Sequence, residues 1–283
     1  MTASAEIIRR LAAEAEVHST TCGTGHMVWR AWGAGESVIL CHGGSGSWTH
    51  WIKTIPALRS HYQLWVPDLP GLGDSAMPPE PWTPATCGTV LADGIRRLIA
   101  AERRAHLVGF SFGAHVATFA AAELGHRLAD FTISGCAALG LPRRPMTFPR
   151  ERTSMGLAER RAVHRKTLEI LMFADPARID DLAIEIQADN IRKARSRSRE
   201  FAQTDQIKTN LAHVRVPLRA IWGERDAIAA PSVDACFETL RLYHPELVTR
   251  VIPDAGHWAM YERPEAFNAA LIELLQLDTP RQP

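Results

Sequence analysis

The sequence is poor in the features that would place it outside ordinary globular proteins. Among 283 residues there are five cysteines, Cys22, Cys41, Cys87, Cys136 and Cys236, and no CxxC pair. That odd, dispersed set argues against a disulfide framework or a cysteine-based zinc site. Free thiols in a reducing compartment are the simpler reading, so a cytoplasmic location is expected. Neither sign of charge is in excess: the formal net charge is +1, which gives no electrostatic reason to bind nucleic acid or a membrane surface. No apolar run approaches the roughly 18 residues of a membrane span. The opening MTASAEIIRRLAAEAEV lacks a signal peptide's continuous apolar core and reads as an amphipathic helix. Internal repeats and low-complexity segments are absent, and the last residues, Asp278–Pro283, read as a frayed end. No metal or cofactor is expected. The expected partner is a small-molecule substrate, with a homodimer as an option.

What is present is a rhythm. Val17–Thr21 and Met27–Trp32 flank a Gly-containing turn and predict a hairpin. Short apolar runs follow at Ser37–Cys41, Gln63–Pro67, Ala105–Phe110, Asp130–Ser134, Leu218–Trp222 and Val248–Ile252. Helix-like stretches alternate with them, including Phe112 to about Leu124 and about Pro264 to Leu277. Strands alternating with helices predict an α/β fold, with a mostly parallel sheet covered on both faces. In such sheets chemistry collects at the carboxyl ends of the strands. The rhythm breaks between about Leu141 and Asn210, where charged helical patterns replace β runs. The chain is therefore divided into a core, residues 1–140 and 211–283, and a helical insertion, residues 141–210.

Gly109-Phe110-Ser111-Phe112-Gly113 is a GxSxG between a strand and a helix. The motif needs that context, because the turn lifts the serine Oγ above the sheet and the glycines let it pack. Ser111 is thus the candidate nucleophile. A serine hydroxyl needs a base, and His257, between the last strand and the last helix, is the candidate. His42 also ends a strand, but Gly43 and Gly44 beside it suggest that it shapes a loop. His26, His50, His61 and His106 read as surface or packing residues. His115, one turn past the serine, reads as packing near the site but pointing away from a bound carbonyl. An acid must orient the base. Asp226 ends a strand and is preferred over Glu224, while Asp254 reads as ordering a turn. The chain order serine, acid, histidine is the one this architecture produces. The backbone N–H groups of Gly44 and Phe112 are the candidate oxyanion donors. A phosphate loop is disfavoured, since neither GxGxxG nor GxxxxGKS/T occurs. Gly43, Trp48, Phe110 and Trp258 are expected to shape the pocket, with Leu171, Met172 and Phe173 facing them from the insertion.

HGGSGSWTHW, DLPGLGDS, GFSFGAHVA, WGERDAI and DAGHWAMYERPEAF, in that order, resemble the α/β-hydrolase superfamily over nearly the whole chain. The resemblance implies an eight-stranded, mostly parallel sheet flanked by helices, with a helical cap inserted after the sixth strand. It also implies the triad Ser111, Asp226 and His257, with the Gly43–Gly44 loop and Phe112 as oxyanion hole. Ester hydrolysis through an acyl-enzyme is the first expectation. The alternative is carbon–carbon bond hydrolysis of a ring-cleavage product, or lactone hydrolysis, with perhydrolysis or a slow-turnover receptor after them. The HGG loop and Trp258 are similar to the carbon–carbon hydrolases, but those enzymes use a cap arginine for a substrate carboxylate. Here Asn190 stands near that place, and Arg192, Arg195, Arg197 and Arg199 read first as a solvated basic face.

Overall fold

The computed structural model describes residues 2–142, 144–196 and 198–277. Arg197 and the tail Asp278–Pro283 lie outside the described residues. In chain order the strands are β1 (Glu16–Cys22), β2 (Gly25–Trp32), β3 (Glu36–Cys41), β4 (Tyr62–Pro67), β5 (Ala105–Phe110), β6 (Leu128–Ser134), β7 (Leu218–Gly223) and β8 (Val248–Ile252). The helices are α1 (Ala3–Ala13), α2 (Ile55–Leu58), α3 (Pro84–Leu98), α4 (Phe112–Leu124), α5 (Leu157–Leu171), α6 (Asp181–Lys193), α7 (Gln206–Leu211), α8 (Val233–Arg241), α9 (Ala259–Glu262) and α10 (Pro264–Leu275).

The strands form one eight-stranded sheet in the order β1-β2-β4-β3-β5-β6-β7-β8. Its first two pairings, β1 with β2 and β2 with β4, are antiparallel, and the rest are parallel. Every residue of β5, β6 and β7 is buried, as expected for parallel strands with helices on both faces. Two apolar clusters result, one on each side of the sheet, with Leu107 and Val108 of β5 falling in different clusters. All five cysteines are buried and unpaired.

At the floor of the sheet, away from the carboxyl ends, Asp130 of β6 pairs with His106 of β5 at 2.5 Å and Arg219 of β7 at 2.9 Å. Arg219 also donates to the carbonyls of Leu274 and Leu277, fastening α10 to the sheet.

Between β6 and β7 the described residues hold α5, α6 and α7 and no strand. The helical pattern expected past residue 193 stops there. Ala194 turns extended (ψ 118°), and the Arg195 N–H goes to Gly71 O at 2.9 Å. A tertiary bond to the core thus ends α6 and leaves only a short 3₁₀ turn at Ser198–Phe201. Among the described residues no helix is long and apolar enough to cross a membrane.

Candidate active site

The carboxyl ends of β3, β5, β7 and β8 bring the candidate residues together. Ser111 sits between β5 and α4 with φ 54° and ψ −119°, a strained conformation for a residue with a Cβ. The flanking glycines make the turn possible by close approach. A Cβ on Gly109 would lie 2.5 Å from Ala114 Cα, and one on Gly113 would collide with His42 O and lie 2.6 Å from Cys41 O.

His257, in the loop after β8, places Nε2 2.9 Å from Ser111 Oγ. Its Nδ1 lies 2.9 Å from Asp226 Oδ2. Asp226 is acceptor-only when ionised, so Nδ1 carries the proton and Nε2 is left to accept from the serine hydroxyl. The other carboxylate oxygen, Oδ1, accepts the Ile228 N–H at 2.9 Å, which fixes the acid's rotamer. Asp226 is 6% exposed and His257 4% exposed, so water screens this chain of bonds poorly.

The competing residues have other work. Glu224 accepts the Asp254 N–H at 2.9 Å, and Asp254 pairs with Arg225 at 2.8 Å, so both brace surface loops. The Leu69 N–H donates to His42 Nε2 at 2.8 Å, which leaves the proton of the neutral ring on Nδ1, bonded to Gly43 O at 2.8 Å. Burial holds the His42 pKa below the ordinary histidine value, consistent with that neutral form.

Gly43 and Gly44 are not equivalent. The Gly43 N–H donates to His50 Nδ1 at 3.2 Å. The Ser111 N–H is likewise taken, by Ser134 O at 2.9 Å. Phe112 is the first residue of α4, where a helix leaves its N–H groups unpaired. A Cβ on Gly44 would fall 3.4 Å from Phe112 Cβ, so the two residues are neighbours. Among the described residues no loop or side-chain acceptor takes the Gly44 or the Phe112 N–H.

Above Ser111 lies a cavity of about 480 Å³. Gly43, Gly44, Phe110, Phe112 and His257 line it from the core, and Leu171 and Met172 from the insertion. Trp48 and Trp258, expected in its wall, are not there. Trp48 is buried against Trp32, its backbone N–H bound to Asp68, and Trp258 packs tilted against Tyr261, its indole N–H donating to His50 O. Their apolar area serves the core, and Phe173 likewise packs on Trp258 and Tyr261.

Polar residues that the sequence did not assign to the wall also line it, among them His50, His115, Gln187 and Arg144. The His50 pKa is held well below 6.5, first by burial and then by the neighbouring His42 and His257. His115 is lowered to about 4, chiefly by burial, and its Nε2 is buried with no hydrogen-bond partner. Their signal in sequence was only proximity to HGGS and GFSFG. Arg199 also lines the cavity, its guanidinium 4.2 Å over the Phe148 ring. Arg192 pairs with Asp189, and Arg195 with Ser75 O. Asn190 accepts from Ser47 Oγ at 2.7 Å and donates to Thr49 Oγ1 at 3.2 Å, tying α6 to the loop after β3.

Residues 38–270 match the model of the alpha/beta hydrolase family. A 2-hydroxy-6-oxo-6-phenylhexa-2,4-dienoate hydrolase of Burkholderia cepacia is 26% identical over 262 residues, covering 86% of this chain and 88% of that protein. A 2-hydroxy-6-oxononadienedioate/2-hydroxy-6-oxononatrienedioate hydrolase of Comamonas testosteroni is 24% identical over 269 residues, covering 86% and 88%. A putative aryl esterase from Burkholderia cenocepacia shares the fold at a TM-score of 0.73 and 23% identity, covering 93% of this chain and 98% of that one.

Proposed function

The chain belongs to the alpha/beta hydrolase family, and from that premise we propose that it hydrolyses a small-molecule carboxylic ester through an acyl-enzyme on Ser111. The observation that carries this reading is the relay of two 2.9 Å contacts from Asp226 through His257 to Ser111 Oγ, opening into the cavity. His257 Nε2 takes the hydroxyl proton as Oγ attacks the ester carbonyl, and Asp226 stabilises the imidazolium. The N–H groups of Phe112 and Gly44 receive the oxyanion; each such donor contributes roughly 3–4 kcal/mol of transition-state stabilisation. The imidazolium then protonates the departing alkoxide. A water deprotonated by His257 attacks the acyl carbon, the bond from that carbon to Ser111 Oγ breaks, the imidazolium returns its proton to Oγ, and the acid product departs.

A second reading, carbon–carbon bond hydrolysis of an acidic dienoate, is favoured by one observation. Arg144 and Arg199 line the cavity, and among the described residues no carboxylate lining it opposes them. Relatives named for such hydrolysis act on carboxylates by their names.

Fluorophosphonate labelling with peptide mapping tests the nucleophile, beside turnover of p-nitrophenyl butyrate and of a 2-hydroxy-6-oxo-dienoate. Label on Ser111, with p-nitrophenyl butyrate turnover exceeding dienoate turnover and both abolished by Ser111→Ala, is the expected result. Full ester turnover in a folded Ser111→Ala protein would remove Ser111 from the mechanism, and preference for the dienoate would move the assignment to the second reading.

A further inference from the structure

A buried carboxylate is strongly disfavoured unless something replaces its lost hydration. Glu262, at the end of α9, is 2% exposed. Its carboxylate takes three backbone N–H groups instead of a cation. Oε2 accepts from Ala174 at 3.0 Å and from Gly256 at 2.7 Å, and Oε1 from Asp175 at 2.8 Å. Bonds of this kind, to an ionised acceptor, are stronger than neutral ones.

The donors belong to two segments with different duties. Ala174 and Asp175 are separated by Phe173 alone from Leu171 and Met172, which form part of the cavity wall at the end of α5. Gly256 is the residue before His257. On the other side of the histidine, the Trp258 N–H donates to Met172 O at 2.8 Å. Both chain neighbours of His257 are therefore fastened to the same stretch, Met172–Asp175, one directly and one through Glu262. The contact leaves no slack: a Cβ on Gly256 would lie 2.5 Å from Ala174 N and 2.7 Å from the Phe173 carbonyl carbon.

We propose that Glu262 is a positioning residue that couples the seating of the α5 wall over the cavity to the placement of His257 beside Ser111. The proposal rests on the reading of His257 as the base. Replacing the carboxylate takes the acceptor from three N–H groups, that of Gly256 in a buried bond and those of Ala174 and Asp175 in half-buried ones. The wall and the base loop then loosen together.

Glu262→Gln and Glu262→Asp test this beside the parent protein. The glutamine presents an NH₂ donor where an N–H needs an acceptor, and the aspartate keeps the charge one methylene short. Fluorophosphonate titration carried to completion counts competent Ser111 sites, and ester kcat is expressed per titrated site. A role in folding alone would lower the number of sites and leave that ratio unmoved. The expected ratio is about 10–100-fold lower in the glutamine variant and less reduced in the aspartate one. Hydrogen exchange should speed up in residues 172–175 and 254–262 together. If the glutamine variant yields no titratable protein, the aspartate variant decides by the same ratio. A ratio within about twofold of the parent, or faster exchange in only one segment, would overturn the coupling. A parent protein left unlabelled at Ser111 would instead remove the base assignment beneath it.

Discussion

The Gly43 N–H is held by His50 Nδ1 at 3.2 Å, so one glycine of the HGG loop anchors the loop, while among the described residues no loop or side-chain acceptor takes the N–H of its neighbour Gly44. His50 can serve as acceptor because burial keeps its ring neutral, with its pKa well below 6.5. That difference between two adjacent glycines opens the proposed oxyanion loop to direct test.

Gly44→Ala should lower kcat by about 10²–10³ with little change in KM, the loss typical of a displaced oxyanion donor. The new Cβ would collide with Ser198 Oγ and lie 3.0 Å from Ser198 Cβ. Pairing it with Ser198→Gly removes both contacts and should recover most of the activity. Steady-state kinetics of the single and double variants check this, and equal losses in both would place the clash elsewhere.

Asp226→Asn should keep the fold and lower kcat by about 10⁴, because the amide can face His257 with a donor and stabilise the wrong tautomer. Glu224→Gln, altering a carboxylate that accepts the Asp254 N–H on the exposed surface, should stay within about twofold of the parent. The pair of kinetic measurements separates the two acids that compete in the loop after β7.

Arg144→Ala and Arg199→Ala should raise KM about tenfold or more for a substrate carrying a carboxylate and leave KM for a neutral p-nitrophenyl ester unchanged. Comparing p-nitrophenyl butyrate with the mono-p-nitrophenyl ester of a dicarboxylic acid makes the measurement. Equal effects on both esters would assign the arginines a packing role.

His115 should make the fold acid-sensitive. Its pKa is lowered from 6.5 to about 4 in the folded protein, so between those values the unfolded chain binds more protons. Stability is therefore fully present above about pH 6.5 and is lost as the pH falls toward 4, by at most roughly 3 kcal/mol from this group. Urea melts at a series of pH values should show a shallower loss in His115→Phe than in the parent. His42 and His50, lowered in the same direction, keep the slope from vanishing.

The strand runs, the strand-to-helix serine and the order serine, acid, histidine were legible because each rests on local rules: alternation, turn glycines, and loops at strand ends. Gly109 and Gly113 illustrate this, since the close approaches that require them follow from the motif's own geometry. The walls of the cavity were legible only in part: Gly43, Phe110, Leu171 and Met172 line it as expected. Trp48 and Trp258 sit beside the right residues in sequence, yet their rings turn into the core. His50 and His115 enter the cavity because helices and loops distant in sequence close around them. The end of α6 was missed for the same reason, as the Arg195 bond to Gly71 is a tertiary event with no local signature. The tie between Glu262 and the segment before α6 spans 87 and 88 residues to Asp175 and Ala174, beyond the reach of any periodicity.

The sealed position of the five cysteines has a practical consequence. Burial pushes Cys22 up to about 11 and Cys87 and Cys236 up to about 12, and drives Cys41 and Cys136 the same way, so the nucleophilic thiolate is scarce at neutral pH. The intact molecule should shrug off iodoacetamide and maleimides. Any alkylation that does occur then reports how often the core breathes open, giving a clock for transient unfolding that runs independently of turnover.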